Sequence, residues 1–338
     1  STSPGSDAGI DSDPDDENDD PEGVVESLAP TTSLRPQSRP DDWDILPAWL
    51  EAEVQDWDDV AETVRGKSRD YLCTRGAELG LALAIDTDMP APTSWCKTRA
   101  FKAEALPEAP LVVDLSSLWA GPLASHILLM TGARVVKVES PNRPDGMRSG
   151  NTEFNDLMNG GKDCVALDFR SPGDLQRLHA LLGRADIVIE ASRPRALQQL
   201  GIEAEAFVAA KPGQIWARMT AYGRHENRVG FGDDIGVSAG LSHWMTRAHG
   251  TPRFVGDAIA DPVNGLHLAL AIVAAWQHGG GCVIDLTMRD VLRNAMGDYM
   301  PEMSGWEAIS LADNAPLYPL RAPEGLSKLL GADNGDYL

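Results

Sequence analysis

Residues 111–139 read LVVDLSSLWAGPLASHILLMTGARVVKVE, and this stretch decides the fold class. Leu111 to Leu115 is an apolar strand. Ala120-Gly121-Pro122 breaks it with small residues, and a compact helix pattern then runs to Thr131, where Gly132 stops it. Arg134 to Val138 is a second apolar strand. Strand, crossover helix and strand within about 30 residues form the βαβ unit of a parallel sheet. The rest of the chain must supply the strands and helices that cover it.

Downstream, a polar loop from Ser140 to Gly161 leads to a strand at Cys164 to Phe169. Ser171-Pro172 is an N-cap followed by proline at the first helical position. The helix it opens runs to Arg184, with Leu175, Leu178, Leu181 and Leu182 on one face. Asp186 to Glu190 is a short buried strand, and short helices follow at Arg195–Leu200 and Glu203–Ala210. Strands at Ile215–Tyr222 and Cys282–Leu286 bracket an irregular stretch, a small-residue helix at Ile235–Trp244 and a long apolar helix from Pro262 to His278. That helix is apolar on nearly all sides and reads as interior. A helix at Arg289–Met300 ends the pattern. The alternation predicts an α/β, Rossmann-like, doubly wound and mostly parallel sheet over residues 109–300.

Upstream, residues 1–40 hold an acidic run and a Ser, Thr and Pro-rich stretch, which predicts a disordered leader. Of the net charge of −22, −17 falls in residues 1–62, so the remainder is only mildly acidic. Without a basic stripe, nucleic-acid binding is excluded as a leading function. Trp43, Leu46, Trp49, Leu50, Val54 and Trp57 recur at helical spacing, which predicts a helical segment over 41–85 docked on the main body. Residues 86–108, with Pro90, Pro92 and Pro107, read as an extended connector, so 41–108 forms one N-terminal unit. Residues 301–338 read as a C-terminal extension packing back on the α/β domain. The four cysteines form no C-x-x-C pair, and free thiols point to a reducing, cytoplasmic compartment. The chain start has no signal-peptide pattern, and no apolar run is long enough to span a membrane.

No G-x-G-x-x-G and no P-loop follows the first strand. The turn from Ser116 to Pro122 is open to two readings: a ligand cradle at the carboxyl edge of the sheet, or simply the start of a helix. Gly236-Val237-Ser238-Ala239-Gly240 has the spacing of a nucleophile elbow, but no strand pattern runs into Ser238 as that motif requires. Asp261-Pro262 reads as a helix cap; with Asp257 nearby, a carboxylate here can also serve as an acyl nucleophile. The seven histidines form no metal pattern, and His126 and His267 read as core residues.

Four segments together resemble the family III CoA-transferases, the group with formyl-CoA transferase, carnitine CoA-transferase and α-methylacyl-CoA racemase. They are VVDLSSLWAGPLASHILLMTGARVVKVESPNRPDGMR (112–148), NGGKDCVALDFRSP (159–172), ADIVIEASRPRALQQLGI (185–202), and GDAIADPVNGLHLALAIVAA with GGCVIDLTMRDV (256–291). The ending RAPEGLSKLLGADNGDYL is similar to the group's usual one. The likeness covers about residues 110–295 and the tail.

The resemblance implies an enzyme moving CoA between an acyl-CoA and a carboxylic acid. Asp261 would be the nucleophile that carries an aspartyl intermediate. CoA, a substrate and not a resident cofactor, would lie against Leu118, Trp119 and Ala120, near Leu167 and Arg170, with Ala191 and Ser192 alongside. A homodimer is implied in the same way, and no metal. Racemase or epimerase chemistry is the runner-up; a Ser238 hydrolase and a non-catalytic CoA-binding subunit are weaker alternatives. The chain departs from the family pattern at four places. Gly232-Asp233-Asp234 stands where racemases carry a Gly-His-Asp triplet, which favours transfer. Ser140 and Gln199 occupy positions that are usually basic. The small domain expected after Val291 is reduced and lacks its glycine-rich loop. The helices of 41–85 precede the first strand, where the family has almost nothing, and can stand in for part of that domain.

Overall fold

The structure, a computed structural model, describes residues 40–297 and 321–338. The predicted disordered leader, residues 1–40, falls on residues outside these except for Pro40, which opens the first helix, and most of the predicted reduced small domain also falls outside. The described chain opens with three helices: α1 (Pro40–Leu50), α2 (Trp57–Arg65) and α3 (Arg69–Leu79). Asp56 caps α2 by accepting the N–H groups of Asp58 and Asp59, and Ser68 caps α3 by accepting that of Tyr71. The tryptophan stripe does not lie on the main body. Trp49 is fully buried with Leu46, Leu50, Val60, Val64 and Leu72 in a core of the helices' own, and its indole N–H donates to the Leu72 carbonyl at 2.8 Å. Docking falls instead to Leu83–Met89. There the Leu83 carbonyl accepts from Arg228 at 2.8 Å, and Asp86 accepts from the Thr246 hydroxyl at 3.4 Å.

Seven described strands form one sheet in the order β1-β7-β6-β5-β2-β3-β4. They are β1 (Cys96–Ala100), β2 (Leu111–Asp114), β3 (Arg134–Glu139), β4 (Asp163–Ala166), β5 (Ile187–Glu190), β6 (Ile215–Thr220) and β7 (Cys282–Thr287). All neighbours are parallel except β1, which pairs antiparallel with β7 from Cys96↔Leu286 to Ala100↔Cys282. The connector read over 86–108 therefore contributes an edge strand. Its residues, Cys-Lys-Thr-Arg-Ala, are mostly exposed and carry no apolar alternation, so the pattern could not show it.

The helices between strands are α4 (Ala120–Met130), α5 (Thr152–Asn159), α6 (Pro172–Arg184), α7 (Ala204–Ala210), α8 (Gly232–Ser238), α9 (Leu241–His249) and α10 (Ala260–Gln277), with a single turn at Ala196–Gln199, and α11 (Met288–Met296) follows β7. They cover both faces. Val112, Ile187 and Ile215 point to the layer of α4 and α10, while Val113, Val188 and Trp216 point to the layer of α6 and α7. The sheet is thus doubly wound, and its winding reverses between β2 and β5.

α10 is not interior throughout: Leu266 and Leu270 are 56% and 60% exposed, because α4 and the sheet cover only one side of it. No described helix is long and apolar enough to cross a membrane.

Candidate active site

In a doubly wound sheet the crevice outside the carboxyl ends of the strands, where the winding reverses, is the usual ligand site. Here that crevice lies between the turn after β2 and the turn after β5. Leu118, Trp119 and Ala120 form the first turn; Ala191 and Ser192 begin the second.

The first turn stands on buried charge. Asp114, at the end of β2, accepts from the Ser116 N–H at 2.9 Å and from the Ser116 and Ser125 hydroxyls. Lys162 reaches it at 3.3 Å and also donates to Ser125 and to the Pro122 carbonyl. Lys137 pairs with Asp145 at 2.8 Å and donates to the Ser116 carbonyl at 2.9 Å. Asp145 in turn accepts the N–H of Leu118, which sits in the left-handed region at φ 63°. A non-glycine residue in that conformation is strained and persists only where its surroundings fix it. Burial would raise the Asp114 carboxyl, but Lys162 and Lys137 hold it below its ordinary value. Burial lowers Lys162 to about 8 in spite of Asp114. Trp119, half-buried, packs edge-on against Phe154 with ring centres 5.0 Å apart.

Asp261 reaches the same edge from another direction. α10 runs antiparallel to the β7 that follows it, so its N-terminus lies at the carboxyl edge of the sheet. The sequence placed Asp261 as the cap; the helix in fact starts two residues earlier, with Ile259 at the cap position and Asp261 second in the helix. The cause is Ala258, which is left-handed at φ 47°, and whose carbonyl takes the Asp261 N–H at 2.8 Å to close a turn before the helix proper. One helical turn past Asp261, Gly265 touches α4. A Cβ there would lie 2.7 Å from the Ala120 carbonyl oxygen. Asp261 therefore shares a helix face with the contact to Ala120, one turn nearer the N-terminus of α10.

The Asp261 carboxyl is pushed up to about 7, first by burial and then by Asp234, Asp233 and Asp257; an N–H from Gly232 works against this. The favourable helix-terminus field is outweighed by these three neighbouring carboxyls. Asp234 is buried and also raised to about 7, chiefly by burial. It accepts the Phe231 N–H at 2.6 Å and the Tyr222 hydroxyl at 3.1 Å, and the Leu83 carbonyl lies 3.4 Å from that hydroxyl. Across the crevice, burial lifts Glu190 to about 7 against the pull of Arg224, 3.5 Å away.

The other expected residues are placed less evenly. Arg170 is exposed, beyond the end of β4, and pairs with Asp168 at 3.3 Å. Leu167 has 1% of its surface exposed, so only its main chain can meet a ligand. Both stand three strand positions from β5, roughly 14 Å across the sheet. Ser238 ends α8, with its hydroxyl donating to the Ile235 carbonyl at 3.1 Å, and no strand runs into it. Sequence reasoning missed Tyr222 and Ala258. Tyr222 is a strand-end aromatic with no motif, and left-handed alanine leaves no sequence signal.

Residues 110–314 match CoA-transferase family III. The chain belongs to that family. Among curated relatives of this family III protein is a probable fatty acyl-CoA transferase of Mycobacterium tuberculosis, 31% identical over 195 residues, 53% of this chain and 50% of the relative. Another is succinyl-CoA–D-citramalate CoA-transferase of Chloroflexus aurantiacus, 28% identical over 205 residues, 56% of this chain and 51% of the relative. A crystal structure of a hypothetical protein from Mycobacterium tuberculosis superposes with a TM-score of 0.52 at 29% identity, covering 63% of this chain and 60% of that one. A CaiB/BaiF family protein from Brucella suis, 22% identical with a TM-score of 0.51, covers 66% of this chain and 60% of that one, and shares the fold. The family III chain spans about half the length of the curated relatives it matches.

Proposed function

We propose that this family III protein moves CoA between an acyl-CoA thioester and a carboxylic acid, with Asp261 as nucleophile. The observation that carries this reading is the placement of Asp261. It is a desolvated carboxyl at the start of α10, packed through Gly265 against the turn that would hold CoA. The Asp261 carboxylate attacks the thioester carbonyl and expels CoA thiolate, leaving a mixed anhydride. The thiolate returns to the aspartyl carbonyl, releases the first acid and leaves an aspartyl-CoA thioester. The acceptor carboxylate attacks that thioester and again frees CoA thiolate. Attack of this thiolate on the acceptor carbonyl gives the new acyl-CoA and restores Asp261. The Gly232 N–H at Asp261 is a donor suited to the developing oxyanion.

CoA lies along Leu118, Trp119 and Ala120, with Ala191 and Ser192 opposite. The Leu167 main chain and Arg170 stand toward the β4 end, and Arg170 is exposed enough to swing onto a phosphate. The helical unit of residues 40–89 walls the acyl side, a placement supported by the Tyr222 hydroxyl standing between Leu83 and Asp234. As in the family, two copies pair, and the free thiols at Cys73, Cys96, Cys164 and Cys282 fit a cytoplasmic protein.

Hydroxylamine trapping tests the reading. Incubation with a panel of acyl-CoAs should yield a hydroxamate at Asp261, found by mass spectrometry and missing from Asp261→Ala. Fluorophosphonate labelling of Ser238 would instead indicate a hydrolase. Loss of the substrate α-proton without CoA exchange would indicate a racemase. CoA binding with neither reaction would leave a binding subunit.

A further inference from the structure

We infer that Asp233 is a positioning residue for Asp261, acting through the main chain of Ala258. The inference rests on Asp261 being the nucleophile. Asp233 Oδ1 accepts the Ala258 N–H at 2.9 Å. Ala258 is one of three described non-glycine residues at positive φ, at 47°. Its carbonyl accepts the Asp261 N–H at 2.8 Å, so the strained residue is tied to α8 on one side and to the nucleophile on the other. Gly232 closes the arrangement. A Cβ at 232 would stand 2.5 Å from both the Ala258 Cβ and its carbonyl oxygen, so α8 and the 257–259 turn meet at backbone contact. Two consecutive residues of α8 thus hold the turn that launches α10: Gly232 by close packing against Ala258, and Asp233 by its hydrogen bond to the Ala258 N–H.

A left-handed alanine returns to an ordinary conformation when its restraints are removed. Loss of the Asp233 acceptor therefore lets the turn relax and swings the Asp261 side chain away from the thioester.

Asp233 also faces Asp261 as a charge. The groups around the nucleophile are Asp233 and Asp234 on α8 and Asp257 in the preceding turn. The charged groups on the other packed elements are engaged elsewhere. On α11, Arg289 lies over the Tyr222 ring and beside Asp290, and the Arg293 guanidinium donates to the Met89 and Gly297 carbonyls. On β6 and β7, Arg218 and Asp285 bind each other. On α4, His126 is buried and held neutral, down at about 4.

The two roles separate by substitution. Asp233→Asn keeps an oxygen for the Ala258 N–H but removes the charge. It should leave adduct formation within about threefold at pH 8 and shift its pH midpoint downward. Asp233→Ala loses the acceptor and should slow adduct formation more than tenfold, with CoA affinity unchanged, within the range that a displacement of about 1 Å costs. Adding Ala258→Gly to Asp233→Ala should restore much of the rate, because glycine holds the left-handed conformation without help.

A wild-type rate in Asp233→Ala would overturn the inference. So would Asp233→Asn falling as far as Asp233→Ala with no rescue by Ala258→Gly, which would make Asp233 an acid–base participant. If the wild-type protein forms no adduct, the transfer reading fails on its own. The clamp is then judged by amide hydrogen exchange at Asp261: faster in Asp233→Ala and restored in the double variant supports it, and unchanged exchange refutes it.

Discussion

Asp261 is a carboxyl whose environment opposes its own ionisation, and that has two separate consequences. Burial and the neighbouring Asp234, Asp233 and Asp257 raise it to about 7. Only the carboxylate attacks a thioester, so adduct formation should fall as pH drops through about 7. Quenched-flow mass spectrometry between about pH 5 and pH 9 would show this, and a flat profile would refute it. The second consequence concerns stability. A carboxyl raised above its unfolded value of about 3.9 favours the fold at low pH, and this contribution is lost as pH climbs from about 4 through about 7. Asp261→Asn should therefore be the more stable protein at pH 8, by on the order of 2 kcal/mol, with the gap closing near pH 4. Urea unfolding at the two pH values measures it. The same residue marks the limit of sequence reading: Asp-Pro was legible as a helix start, but the two-residue offset depends on left-handed Ala258, a conformation that alanine does not advertise.

At the level of elements, the βαβ unit was plain because Leu111–Val113 in β2 and Val135, Val136 and Val138 in β3 are buried apolar residues on either side of a helix pattern. The buried charge beneath it was not, since Asp114, Lys137, Asp145 and Lys162 are scattered through the sequence and meet only in the fold. Lys162→Met tests how far the turn depends on this network. Removing one partner leaves Asp114 buried with less compensation, so a loss of about 3–5 kcal/mol in urea unfolding is expected. Weaker CoA binding by the Leu118–Ala120 turn should accompany it; a neutral substitution would show that Lys137 alone satisfies Asp114. The packing of α10 on α4 is tested by Gly265→Ala. Its Cβ meets the Ala120 carbonyl at 2.7 Å and Leu123 at 2.9 Å, and main chain cannot yield as a flexible side chain does. A loss of about 1–3 kcal/mol should appear together with slower adduct formation, because Asp261 moves with the helix. Stability lost with an unchanged adduct rate would place Asp261 outside the reach of this contact.

The whole molecule faces a problem that follows from its sheet order: an open sheet ends in two edge strands, and each offers unpaired main-chain groups to other chains. β1 guards one edge with Lys97 and Arg99 on an exposed strand. The β4 edge is guarded by residues 321–338. Asp333 accepts the Cys164 N–H at 2.8 Å and returns its own N–H to the Cys164 carbonyl at 3.0 Å. Asn334 takes the Ala166 N–H at 2.9 Å and donates to the Ala166 carbonyl at 3.2 Å. Two side chains and one peptide N–H thus occupy the positions an eighth strand would use, and Lys328 and Tyr337 brace them on Asp163. The sequence read the tail as a familiar ending and as an extension packing back on the α/β domain, without these bonds, because hydrogen bonds from Asp and Asn to a strand edge have no periodicity to read. Replacing Asp333 and Asn334 together by alanine should leave the buried sheet intact by circular dichroism but open β4 to pairing. Light scattering should then report concentration-dependent association beyond the assembly that the wild-type protein forms. A double variant that scatters like the wild type would mean that the edge is protected by the bulk of the tail, and not by these hydrogen bonds.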